Sequence, residues 1–74
     1  MIAPFVLLRR MVDAGLLCAS TGHIARTLGL WKARACVLSR LRTLEARGLL
    51  SAVDGVVWTV TERGLAALAD RATR

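Results

Sequence analysis

Four stretches of the chain place apolar side chains at the spacing of a helix with one buried face. The clearest contains Val37, Leu41 and Leu44, which follow an i, i+4, i+7 pattern. This stripe predicts a helix that begins between positions 32 and 35 and continues to about position 47. Gly48 follows at once and supplies a stop for that helix.

Two shorter helices are predicted before this one. Helical spacing indicates a first helix over about residues 4–14, which Gly15 ends. A short apolar run over residues 16–19 is long enough for a stub of strand. Ser20 is a helix-capping residue type and predicts a second helix over about residues 21–28.

A β-hairpin is predicted after the third helix, over about residues 49–60. The letters VDGV at residues 53–56 place Asp-Gly between two β-branched runs. This pair supplies the positive φ angles that a two-residue hairpin turn requires. Alternation along the return strand then predicts Val56, Trp58 and Val60 on one face of the sheet.

A last helix is predicted over about residues 62–72, capped by Thr61, with Leu65 and Leu68 facing inward. The predicted order is therefore helix, strand stub, helix, helix, two-stranded hairpin, helix. This is a mainly α fold class with a small β-hairpin, in a single domain that spans residues 1–74.

Charge and composition favour a binding protein. The 74 residues carry a formal net charge of +6, which favours a polyanionic partner such as DNA, RNA or an acidic membrane surface. An Arg-rich, Lys-poor, Ala-rich chain can also reflect biased coding composition, so charge alone does not decide. Apolar residues make up 55% of this short chain, which favours a dimer or a bound partner over a free monomer.

The residue types used in catalysis and metal binding are sparse. The chain has one histidine, His23, while Cys18 and Cys36 lack the paired spacing of a zinc site. The acids are scattered and form no nucleophile-base pair, so neither an enzyme, a metal site nor a cofactor is expected. No apolar run approaches the ~20 residues of a membrane-spanning helix. We therefore expect a cytoplasmic protein without membrane contact.

Three pieces of the sequence carry a resemblance to a known family. They are TGHIARTLGL, LEARGLL and VWTVTERGLAAL, with Val37 and Leu41 between the first two. In this order they resemble the winged helix-turn-helix domains of small bacterial and phage transcription regulators, and look closest to the MarR-like and ArsR-like groups. The resemblance covers roughly residues 5–70. It implies a helix-turn-helix over about residues 21–47, a wing over about residues 49–60, and binding of double-stranded DNA as a homodimer.

Two features depart from the pattern of that family. Trp31 stands where family members usually carry a short polar residue, and the interval between LGL and LE is longer than usual. Both predict an enlarged turn before the third helix. The wing is short and has acidic Asp54 at its tip, which would repel phosphates, so we do not expect it to enter the minor groove.

The predicted helix-turn-helix is rich in cations but poor in side chains that read bases. The chain has no Asn or Gln, the residues that pair best with adenine, and Ala35 and Cys36 lie on the outer face. The cations of this segment are better suited to phosphate contacts, which position a protein on DNA without reading the base sequence. The candidate DNA-binding residues are Arg26, Lys32, Arg34, Ser39, Arg40, Arg42 and Thr43.

Other interpretations stay open beside DNA regulation, namely a protein-interaction module and a nonspecific DNA-coating protein, because a fold does not fix function. Trp31 either braces the enlarged turn against the second helix or stands exposed as an anchor for a protein partner. Dimer contacts are expected from Phe5, Leu7 and Met11 of the first helix and from the last helix.

Overall fold

The computed structural model describes residues 3–72, so the two ends of the predicted 1–74 domain lie outside the described residues. This part of the chain is mainly helical, with four α-helices and a small three-stranded antiparallel sheet. No helix in it is both long and apolar enough to cross a bilayer. The elements are α1 (Pro4–Asp13), β1 (Cys18–Ser20), α2 (Thr21–Thr27), α3 (Arg34–Ala46), β2 (Leu50–Val53), β3 (Val57–Val60) and α4 (Glu62–Ala72), with a 3₁₀ turn at Trp31–Ala33.

The sheet has the strand order β1-β3-β2, so β3 lies in the centre and pairs with both neighbours. Cys18 of β1 pairs with Thr59 of β3, and Leu50 of β2 pairs with Val60. Strand β1 leads directly into α2, whose first turn is capped by Ser20. Strand β1 is therefore hydrogen-bonded to β3, the last strand of the hairpin. Helices α2 and α3 lie between these two strands in the sequence, so the pairing fixes both ends of this helical segment.

Helices α1, α2 and α3 all end in the same local arrangement, a glycine followed by a leucine. After α1, Gly15 has a φ of 75°. Its N–H donates to the Val12 carbonyl, and the Leu16 N–H donates to the Met11 carbonyl. These two bonds define a Schellman ending. The pairs Gly29-Leu30 and Gly48-Leu49 repeat it. Each following leucine is turned toward the core.

The core is built on the stripe of α3 that the sequence predicts. Val37, Leu41 and Leu44 are all fully buried, which confirms this prediction. Trp58 of β3 is also buried in the core, and its indole N–H donates to the Thr21 hydroxyl over 2.7 Å. One hydrogen bond therefore joins the central strand to the start of α2.

Loss of this bond should be measurable in the unfolding equilibrium. Thr21→Val keeps the shape of the side chain but leaves the buried indole N–H of Trp58 without its acceptor, which typically costs about 1–3 kcal/mol. Thr21→Ser retains the hydroxyl and should keep most of the stability. Urea denaturation measures the free energy of unfolding of both variants, and the midpoints are compared at equal m-values. A Thr21→Val midpoint equal to the wild-type midpoint would contradict the assigned bond.

Helix α4 is attached to the end of α3 through Thr61 and Gly64. The Thr61 hydroxyl donates to the Gly48 carbonyl over 2.8 Å and accepts the Gly64 N–H over 3.0 Å, so it caps α4 and ties it down. Gly64 is buried, and a Cβ at this position would overlap the carbonyl oxygen of Leu49. The missing side chain therefore lets α4 approach the backbone after α3.

The predicted start of the return strand is wrong by one residue. Asp54 and Gly55 both have positive φ, as the hairpin turn requires, and the Val56 N–H donates to the Val53 carbonyl. However, the ladder pairs Val53 with Val57, which leaves Val56 as an additional residue in the turn. Its side chain is 55% exposed instead of facing the core.

Two predictions about the outer helices are also wrong. Leu65 of α4 is 42% exposed, because Gly64 occupies the contact position and only Leu68 of the predicted pair is buried. Leu7 and Met11 of α1 are fully buried and hence unavailable for dimer contacts. Helix α1 contacts both α3 and α4, which widens its buried face. Phe5 is half-buried against the same core.

Candidate nucleic-acid interface

Positive charge is concentrated on the segment that contains α2, the 3₁₀ turn and α3. Residues 21–47 include six Lys or Arg side chains and one acid, Glu45. Arg40 is half-buried, and the other five cations of this segment are exposed. They are Arg26, Lys32, Arg34, Arg42 and Arg47.

The outward face of α3 carries small side chains. Ala35, Cys36 and Ser39 are all exposed, on the side of the helix opposite its buried stripe. Arg42 is exposed at the edge of this face. No long apolar side chain stands between the helix backbone and solvent here, so a partner surface can approach the helix closely.

Two predicted contact residues are less accessible than their neighbours. Thr43 is half-buried, and its hydroxyl donates to the carbonyl of Ser39 over 3.1 Å within the same helix. Its proton is thus used locally, as is common for Thr in helices. Arg40 is half-buried as well, which places it nearer the core than Arg42. Of the two predicted hydroxyls, Ser39 is therefore the one that the structure leaves on the open face.

Trp31 lies in the 3₁₀ turn with arginines from both sides of the turn over its ring. The guanidinium carbons of Arg26 and Arg34 are each 4.7 Å from the ring centroid, a cation–π distance. Arg34 Nη1 also donates to the Trp31 carbonyl over 3.1 Å. We name Arg26, Trp31 and Arg34 the arginine–tryptophan cluster.

The position of Trp31 combines the two alternatives left open by the sequence. Gly22 of α2 faces the ring, since a Cβ there would lie 3.7 Å from Trp31 Cζ3. The ring therefore braces the turn against α2, while 41% of the residue remains exposed. Sequence reasoning missed the contact between Trp31 and Arg26, which joins two elements and follows no helical spacing.

The hairpin contributes no cation to this surface. Residues 50–60 contain no Lys or Arg, and Asp54 stands exposed at the tip with a φ of 55°. Val53 and Val56 flank it and are 54% and 55% exposed. The tip is therefore acidic and apolar, unlike the segment from α2 to α3.

Comparison with protein-family models, curated proteins and solved structures found no match to this chain. Within residues 3–72, no group of three or more His, Cys, Asp or Glu side chains is placed to hold a metal ion. Cys18 and Cys36 are both exposed thiols.

Proposed function

We propose that the protein binds double-stranded DNA as a winged helix-turn-helix, with α3 in the major groove and the hairpin as a short wing. One observation carries the proposal: α3 exposes small side chains on its outward face, and five exposed cations lie in the same segment, residues 21–47. Transcription regulation in a bacterium, phage or mobile element is the role that the sequence resemblance suggests for such a domain.

The dimensions of α3 suit this placement. The helix has 13 residues, and the major groove of B-DNA, ~12 Å wide, admits an α-helix. Small residues at Ala35, Cys36 and Ser39 allow close approach to the base edges. Ser39 can form a single hydrogen bond there, and Ala35 can contact a thymine methyl.

Most of the affinity would come from the phosphates. Lys32 in the 3₁₀ turn and Arg42 on α3 are both exposed. Cations in such positions hold a protein on the duplex and fix its orientation without reading sequence. We therefore expect a strong electrostatic contribution to DNA affinity and a modest preference for particular bases.

Duplex affinity is expected to fall steeply with salt. If four to six phosphates are contacted, raising salt from about 50 to 200 mM should weaken binding roughly 10²- to 10³-fold, because condensed counterions are released on binding. Fluorescence anisotropy with a labelled duplex of generic sequence measures this dependence. Absence of binding at low salt would contradict the proposal and favour a protein partner at the exposed Trp31.

Selection of bound DNA from random sequence separates the remaining roles. An enriched motif would support a regulator, whereas binding without enrichment would support a nonspecific DNA-coating protein. A motif with two-fold symmetry would further support a dimer. In such a dimer the two copies of α3 would lie about 34–36 Å apart, which is one turn of the duplex.

A dimer would have to use apolar side chains that the core leaves exposed. Helices α1 and α4 contact each other and expose Val6 and Leu65, at 46% and 42% of their surface. These two residues replace Leu7 and Met11 as the proposed contacts. Sedimentation with and without duplex measures the stoichiometry.

A further inference from the structure

We propose that the arginine–tryptophan cluster is a clamp for the phosphate groups of a nucleic-acid backbone. In this clamp Arg26 and Arg34 bind the phosphate oxygens, and Trp31 holds the two guanidinium groups in position. The proposal rests on the proposed DNA binding and adds to it a defined contact point. It also gives a function to Trp31 and to the enlarged turn that carries it.

The distances allow both arginines to act on the same ligand. Each guanidinium carbon lies 4.7 Å from the same ring centroid, so the two carbons are at most twice that distance apart. A guanidinium presents five N–H donors in a planar fork, and phosphate oxygens accept such forks in a bidentate manner. Neighbouring phosphates of one strand can therefore engage both side chains.

The charges of the cluster favour an anion. Within residues 3–72 neither Arg26 nor Arg34 is paired with a carboxylate, so two cations share one aromatic ring without a counterion from the protein. The negative face of the indole offsets part of their mutual repulsion. An anion that contacts both guanidinium groups offsets more of this repulsion, because it attracts each group at closer range.

Contacts within the protein hold the cluster together without a ligand. Arg34 is fixed twice, by the ring of Trp31 and by the bond from its Nη1 to the Trp31 carbonyl. Gly22 gives the ring its place against α2. Long side chains lose rotamer freedom when they bind, and pre-ordered ones lose less. Trp31 is thus a positioning residue, and the arginines are the ligand-binding groups.

The opposite role for Trp31 is that it withholds the arginines from DNA. The two roles make opposite predictions for Trp31→Ala, which leaves every charge in place. If Trp31 positions the arginines, duplex affinity should fall roughly 5- to 100-fold with an unchanged salt slope, because both arginines must then be ordered on binding. If Trp31 withholds them, affinity should rise. Trp31→Phe keeps an aromatic face and should lie between wild type and Trp31→Ala.

The arginines are tested by charge removal and by charge-conserving replacement. Arg26→Ala with Arg34→Ala should weaken duplex binding about 10- to 100-fold and make the salt slope shallower by about one to two phosphates. Replacement of both by Lys keeps the charge but loses the planar fork, so the slope should stay while affinity falls. Melting curves verify that each variant is folded.

A second probe separates failure of the clamp from failure of DNA binding. Inorganic tripolyphosphate is titrated against the wild type and the double Ala variant, with the fluorescence of exposed Trp31 as the signal. If duplex binds but neither the double Ala variant nor Trp31→Ala weakens it, the clamp is overturned and DNA binding stands. If duplex does not bind but tripolyphosphate binds through the arginines, the clamp stands with a ligand other than DNA. Binding of neither overturns both.

Discussion

Gly64→Ala is expected to lower the free energy of unfolding by about 3 kcal/mol, the upper part of the range for overpacking a tight contact. The new methyl would overlap the Leu49 carbonyl oxygen and lie 3.3 Å from Val60 Cγ1. Leu49 cannot move aside easily, because its N–H donates to Leu44 and its carbonyl accepts from Thr61. Thermal unfolding should show a loss of roughly 12–24 °C in Tm for a domain of this size.

Gly22→Ala is the matched control for this variant. Gly22 is also a helical glycine, but a Cβ there would meet only Trp31 Cζ3, at an ordinary contact distance of 3.7 Å. Alanine favours helix over glycine by up to about 1 kcal/mol, so this chain should be as stable as wild type or slightly more stable. Equal melting temperatures for Gly64→Ala and wild type would show that α4 is not held at the backbone of Leu49.

Lys32→Glu combined with Arg42→Glu should reduce duplex affinity at low salt by at least about 100-fold. Each change removes a proposed phosphate contact and places a negative charge next to the negatively charged DNA backbone. Both side chains are exposed, so stability should change by less than ~0.5 kcal/mol per site. Anisotropy with a labelled duplex measures the affinity, and a melting curve verifies the fold.

Arg9→Glu combined with Arg10→Glu is the control for net charge. Both arginines are exposed on α1, and Arg9 Nε lies 3.3 Å from Asp13 Oδ2 in a surface ion pair. The charge change is the same as in the test variant, so long-range attraction is weakened equally. We expect a loss of affinity well below that of the test variant. Equal losses would mean that binding follows net charge alone and that α3 has no special position on the duplex.

The elements that local chemistry specifies were predicted correctly. The stripe of Val37, Leu41 and Leu44 is buried as its spacing indicates, and Ser20 caps α2 by accepting the His23 N–H. Gly15 likewise ends α1 as predicted. Each of these signals acts over a few residues, which is the range that a sequence pattern records.

The errors occur where one element contacts another. Leu65 lies exposed because Gly64 makes the contact instead, and hydrophobic periodicity gives no weight to a glycine that packs by lacking a side chain. Leu7 and Met11 are buried because α1 has two neighbouring helices, while a single stripe predicts only one contact face. The spacing of apolar residues along one helix records neither of these contacts between elements.

The candidate site shows the same division. Its charge and the small side chains of α3 follow from the sequence. The stacking of Arg26 on Trp31 crosses from α2 to the 3₁₀ turn, and the Thr43 bond to Ser39 depends on a rotamer. Both depend on three-dimensional placement, and they decide which predicted residues face a partner.

The pairing of β1 with β3 has a consequence for the order of folding. Cys18 and Thr59 are 41 positions apart, and α2, α3 and β2 all lie between them. Loop-closure entropy opposes such a contact until the enclosed chain is compact. We therefore expect α2 and α3 to associate before β1 is captured, with the strand closing the domain in the slowest step. The surface proposed to bind DNA would then be among the first parts of the chain to assemble.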